Sequence, residues 1–235
     1  MLFYLMIMAP FLLLGYWAQS RVKGAFAEWS QVRSTSGVTG AQMARTILDR
    51  NGLSDVEVRS TPGELSDHYD PRNRTVNLSE SVYGSSSVAA VSVAAHEVGH
   101  AIQHEKAYAP FRARAAVAPA AQFSSAAFMP LFLVGLVLQV MTGASGGIGE
   151  YAMLAAIALF AIGVLFQLVT LPVEFDASKR ARNQLDGMNV SSGGAAEAKG
   201  TAQVLNAAAL TYVAAALAAV AQLAYFIFQM MGARN

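Results

Sequence analysis

Four apolar runs constrain this chain more than any other feature: Leu2 to Ala18, Phe123 to Met141, Tyr151 to Leu171 and Ala207 to Met231. None contains Asp, Glu, Lys or Arg. As helices they are about long enough to cross a hydrocarbon core of roughly 30 Å. Composition agrees. The chain is 54% hydrophobic and 13% charged, against about 25% charged in an average soluble domain, and its mean hydropathy is +0.39. An integral membrane protein is expected. The first run has no Lys or Arg before it, and Gly15-Tyr16-Trp17-Ala18-Gln19-Ser20 makes a poor cleavage site, so it reads as an uncleaved anchor. Pro10 is a place for it to kink.

Charge sets an orientation. Basic residues cluster in 21–114 and again in 172–206, at Lys179, Arg180, Arg182 and Lys199, while 142–150 has none. The positive-inside rule puts both basic regions in the cytoplasm and both termini outside. Arg234, at the outer end, runs against this. No charged residue lies inside a run, which argues against ion transport. Gln139, Gln167, Gln222 and Gln229 are expected to hydrogen-bond between helices. A net charge of +1 argues against nucleic acid as a partner.

The hydrophilic region after the first run carries recognisable elements. Thr39-Gly40-Ala41-Gln42 fits a capping box, followed by an apolar face of Met43, Ala44, Ile47 and Leu48 and a stop at Gly52. Val56 and Val58 alternate with charged residues, as in a half-buried strand. Leu65 to Asp70 and Arg74 to Leu78 flank Pro71-Arg72-Asn73 and read as a hairpin. One of Ser85, Ser86 and Ser87 then caps a helix over about 87–105.

That helix carries His96-Glu97-Val98-Gly99-His100. Histidines at i and i+4 project from one face, one turn apart, and both reach a single tetrahedral zinc. Glu97 sits one step round, where a carboxylate takes a proton from a water held by the metal and later hands it to the leaving amine. With no cysteine, every zinc ligand must be His, Glu or Asp.

A catalytic zinc wants a third protein ligand. His104 continues the same face, but it lies about 12 Å along the axis from His96, too far to share an ion with bonds near 2 Å. It reads as a polar residue at a helix end. His68, in Asp67-His68-Tyr69-Asp70, is available from the hairpin, although a polar edge-strand role accounts for it as well. Glu174, in Leu171-Pro172-Val173-Glu174, follows two crossings after His100 and so returns to the same membrane side. Pro172 suits a first helical turn, and a carboxylate near a helix start needs no metal to explain it. His68 and Glu174 both stay open on these grounds.

Three stretches together resemble the YugP-type neutral zinc metallopeptidases of bacteria. They are Gly63 to Arg72, Val93-Ala94-Ala95-His96-Glu97-Val98-Gly99-His100-Ala101-Ile102-Gln103, and Leu171-Pro172-Val173-Glu174-Phe175-Asp176-Ala177-Ser178. The likeness covers nearly the whole chain. A more distant one is to the HtpX-type and CAAX prenyl proteases, membrane gluzincins whose third ligand is the Glu of a Glu-x-x-x-Asp motif. This implies Glu174 as third ligand. The chain departs from that motif at Ser178, where an acid would support a ligand histidine. Asp176, two residues from Glu174, is expected to point elsewhere on a helix.

The expected fold is mainly α and membrane-embedded, with about four transmembrane helices and a small α+β zincin-like region bearing the His-Glu-x-x-His helix. The expected divisions are an anchor over 1–19, the α+β region over 20–122, two transmembrane helices over 123–171, the third-ligand segment over 172–206 and a last transmembrane helix over 207–235. The expected function is a zinc metalloendopeptidase, multi-pass in the bacterial inner membrane with its active site on the cytoplasmic side, acting on membrane or membrane-proximal polypeptides. His96, His100 and Glu174 hold one zinc per chain, Glu97 is general base and acid, and the free edge of the hairpin aligns an extended peptide. Arg180, Arg182, His68 and Tyr69 are candidate oxyanion stabilisers. Two rivals are a non-proteolytic adaptor or scaffold with a zinc-stabilised fold, and a zinc hydrolase of prenylated or lipid-linked substrates.

Overall fold

Residues 2–143, 147–188, 190 and 194–232 are described by a computed structural model; Arg234 lies outside them. In chain order the elements are α1 (Leu2–Ser30), α2 (Gly40–Arg50), β1 (Glu57–Thr61), β2 (His68–Asp70), β3 (Thr75–Ser79), α3 (Glu80–Tyr83), α4 (Val88–Glu105), α5 (Ala109–Thr142), α6 (Ile148–Gly187) and α7 (Ala195–Gly232). The protein is mainly helical, with one small sheet.

Two compact units emerge from the packing. One comprises residues 1–15, 112–171 and 212–235. It holds most of the apolar runs. Its helices meet through aromatic rings, with Phe128 5.0 Å from Phe160 and 5.6 Å from Phe226 between centroids. They also meet through small residues: a Cβ on Gly135 would lie 2.9 Å from the Gly149 carbonyl oxygen. Small residues of this kind let helix backbones approach in lipid, where no hydrophobic effect drives helices together. Of the four glutamines in the runs, Gln222 accepts a 2.7 Å hydrogen bond from Tyr4 across helices. Gln229 bonds Tyr225 on its own helix, and Gln139 Oε1 is buried without a partner among the described residues.

α5, α6 and α7 are long and apolar enough to cross a membrane. α1 is not in that set among the described residues, although it is helical from Leu2 to Ser30.

The other unit comprises residues 16–111 and 172–211. Its sheet has the order β1-β3-β2, with β1 parallel and β2 antiparallel to β3. The expected hairpin is β2–β3, with His68 opposite Asn77 and Tyr69 opposite Val76. α2 starts in a complete capping box: Thr39 accepts from Gln42 N, and Gln42 Oε1 accepts from Thr39 N. It ends at Asn51, before Gly52 at φ +74°. Ser87 is the serine that caps α4, accepting from Ala90 N at 3.2 Å.

α4 is apolar almost all round because it is buried almost all round, as expected of a helix inside a core. Val91, Ala94, Ala95, Val98, Ala101 and Ile102 pack with Ile47 and Leu48 of α2, Val76 and Leu78 of β3, and Val173, Ala181 and Leu185 of α6.

One local expectation is corrected. Pro172 does not open a helix: it lies inside α6, so Glu174 is mid-helix rather than near a helix start. Apolar helices tolerate an interior proline because neighbouring helices and side chains re-satisfy the freed backbone. The helix N-terminus therefore contributes nothing to the charge of Glu174.

Candidate metal centre

His96 and His100 lie one turn apart on α4, with ring centroids 4.9 Å apart and the rings edge-on. α6 brings Glu174 to the same point. Glu174 Oε2 is 3.3 Å from His96 Nε2 and 3.6 Å from His100 Nε2. The three side chains offer ligand atoms all within 4.8 Å of one another. Ligand atoms bound to a four-coordinate ion at about 2.0–2.1 Å sit roughly 3.3 Å apart. The donor set, two imidazoles and one carboxylate, and its spacing both suit zinc.

The surroundings explain how the three groups stay there. Glu174 is 3% exposed. Burial alone would raise its carboxyl, but the neighbouring His100 and His96 outweigh it and hold the group well below the usual carboxylate range. Each histidine is fixed at its other ring nitrogen. His96 Nδ1 is 3.1 Å from Ser178 Oγ, and His100 Nδ1 is 3.0 Å from Gln103 Oε1. Ser178, the position at which the sequence departs from the expected acid, thus contacts His96. Asp176 does point elsewhere, as expected: it accepts from Gln103 Nε2 at 2.8 Å and from Arg180 Nε at 2.5 Å.

Glu97, next in sequence to His96, is 7% exposed. Burial pushes its carboxyl up to about 7, with the His96 charge pulling the other way. A carboxyl in that range holds and releases a proton near neutrality.

The other residues singled out from the sequence have partners outside the cluster. His104 Nδ1 is 2.9 Å from the Tyr69 hydroxyl, and its ring stacks on Phe111 at 5.6 Å. His68 is exposed on β2, bonded to the Ser66 carbonyl and near the Asn77 amide. Arg180 pairs with Asp176 and lies over the Tyr108 ring at 5.6 Å. Arg182 reaches the Ser178 carbonyl and Asn206.

Gln103 was not singled out from the sequence, although a signal existed. It stands three residues after His100, on the same helix face. It is 0% exposed.

Comparison with known proteins gives the family. The family described as "Putative neutral zinc metallopeptidase" matches residues 4–231. A protein of Bacillus subtilis (strain 168) named "Putative membrane protease YugP" is 46% identical over 224 residues, covering 94% of each chain. No solved structure matches. With its apolar helices and this relative, the chain is a membrane protein. From a match over nearly its whole length, it belongs to the putative neutral zinc metallopeptidase family.

Proposed function

We propose that this protein is a membrane-anchored zinc endopeptidase, with His96, His100 and Glu174 as the zinc ligands and Glu97 as the proton-transfer group. The observation that carries the reading is the convergence of three ligand atoms within 4.8 Å, with a buried carboxyl on the residue beside one of them. Zinc bound by that set supplies a Lewis acid and an activated water. Glu97 accepts a proton from the attacking water and returns it to the departing amine. Ser178 and Gln103 keep the two imidazoles oriented. A structural zinc would need no such carboxyl and would close with four protein ligands, which counts against the adaptor reading.

The substrates are membrane or membrane-proximal polypeptides. Support comes from the sequence, in which Glu174 stands three residues past the apolar run ending at Leu171. β2 is an edge strand of the sheet, and an extended peptide adds to such an edge through main-chain hydrogen bonds. The four apolar runs and the basic residues of 21–114 and 172–206 support a four-span, multi-pass arrangement in the bacterial inner membrane, with the site facing the cytoplasm.

The test uses detergent-purified protein loaded with zinc, offered both a panel of membrane polypeptides and a panel of lipid-linked substrates. Cleavage of polypeptide by wild type, with no turnover by Glu97→Gln at unchanged zinc content, is the expected result. Turnover that survives in Glu97→Gln would sink the assignment. Turnover of the lipid-linked panel alone would replace the substrate class.

A further inference from the structure

Resting on the zinc-site reading above, we infer that Gln103 is the positioning residue of the centre: it decides which nitrogen of His100 offers a lone pair and holds the turn of α6 that carries Glu174. The argument starts from what a primary amide can do. Its nitrogen has two hydrogens to donate and its oxygen only accepts. Gln103 Nε2 donates to the Val173 carbonyl at 2.8 Å and to Asp176 Oδ2 at 2.8 Å. Both donors are used, and on groups that accept. Reversing the amide would set its oxygen against a carbonyl and against a carboxylate already paired with Arg180. The orientation is therefore determined, and Oε1 faces His100 Nδ1 at 3.0 Å.

An oxygen there can only accept, so His100 Nδ1 carries the hydrogen. Nε2 is left as the nitrogen with a lone pair to offer, and it is the one 3.6 Å from Glu174 Oε2. Ser178 imposes no such choice on His96, because a hydroxyl both donates and accepts. The same Gln103 side chain bonds the carbonyl of Val173, the residue immediately before Glu174. One buried amide thus orients a ligand on α4 and fastens the ligand-bearing turn of α6. The Asp176–Arg180 pair anchors it from outside. Gln103 supports His100 from the histidine helix itself.

The test is zinc affinity of the full-length protein in detergent, by competition with a chromophoric chelator, alongside thermal melting of the metal-free forms. Gln103→Met keeps the length and loses every hydrogen bond; outer partners of this kind are worth roughly 10–100-fold in metal affinity, and a loss in that range is expected. Gln103→Glu should also bind weakly, because its second oxygen faces the Val173 carbonyl and Asp176. Wild-type affinity in Gln103→Met with only a lowered melting temperature would overturn the proposal, as would wild-type affinity in Gln103→Glu. Wild-type affinity in His100→Ala would overturn the zinc site itself.

Discussion

A Cβ on Gly99 would lie 2.6 Å from the carbonyl oxygen of Ala177, so α4 and α6 meet backbone to backbone beside the centre. Gly99 is the residue before His100, and Ala177 lies between Glu174 and Ser178 on the chain. The obstacle is main chain and cannot rotate away. Gly99→Ala would gain up to about 1 kcal/mol of helix propensity, yet it forces the helices apart. A net loss of about 1–3 kcal/mol is expected, the usual cost of overpacking, together with weaker zinc binding as Glu174 leaves the histidines. Chemical denaturation and metal titration of the same variant check both. A variant as stable and as well metallated as wild type would show that the contact is not what sets the helix separation.

Metal content separates ligands from bystanders. His96→Ala and Glu174→Ala each remove one of three donors, and both should purify with well under one zinc per chain. His104→Ala and His68→Ala should retain the wild-type amount, because their partners are Tyr69 with Phe111, and Ser66 with Asn77. Zinc retained after Glu174→Ala and lost after His68→Ala would exchange their roles.

Stability of the metal-free protein should depend on pH through Glu97. Its carboxyl is raised from 4.5 to about 7 by burial. Between those values the folded state binds more protons than the unfolded state, so stability falls as pH rises. The full contribution is present below about 4.5 and is lost as pH passes through about 7, a change of roughly 3 kcal/mol. Melting temperatures measured in chelator from pH 5 to pH 8 should decline in wild type and decline less in Glu97→Gln. Parallel curves for the two proteins would refute the assignment.

Thr39→Ala removes the side-chain half of the α2 cap, the bond accepted from Gln42 N. A loss of about 1 kcal/mol is expected, and Thr39→Ser should restore most of it. Zinc affinity should not change, since neither residue touches the centre. Urea midpoints of the three proteins measure the effect.

Local, repetitive signals were readable without a structure. The apolar runs announce membrane helices because a backbone in lipid must satisfy its own hydrogen bonds over a fixed length. Thr39 with Gln42, and Ser87 ahead of an alanine-rich stretch, mark helix starts because capping acts over three residues. The pairing of His96 with His100 follows from helical pitch alone. Val56, expected within a strand, lies just before β1 and is fully buried, a boundary that alternation by itself does not set.

Relationships across elements had to wait for the tertiary structure. Pro172 suggested a helix start because proline favours first turns, but packing carries α6 straight through it. Glu174 stood open beside His68 until α6 brought it within 3.3 Å of His96. Gln103 and Gly99 look like filler in an apolar helix; one is a hydrogen-bonding hub and the other a backbone contact only because Val173, Asp176 and Ala177 lie against them. The sequence by itself determined which segments are helical and which side chains share a face, since those follow from periods of a few residues. Which face meets which, and hence what completes the centre, was decided by packing between residues some 70 to 80 positions apart, for which spacing in the chain carries no geometric information.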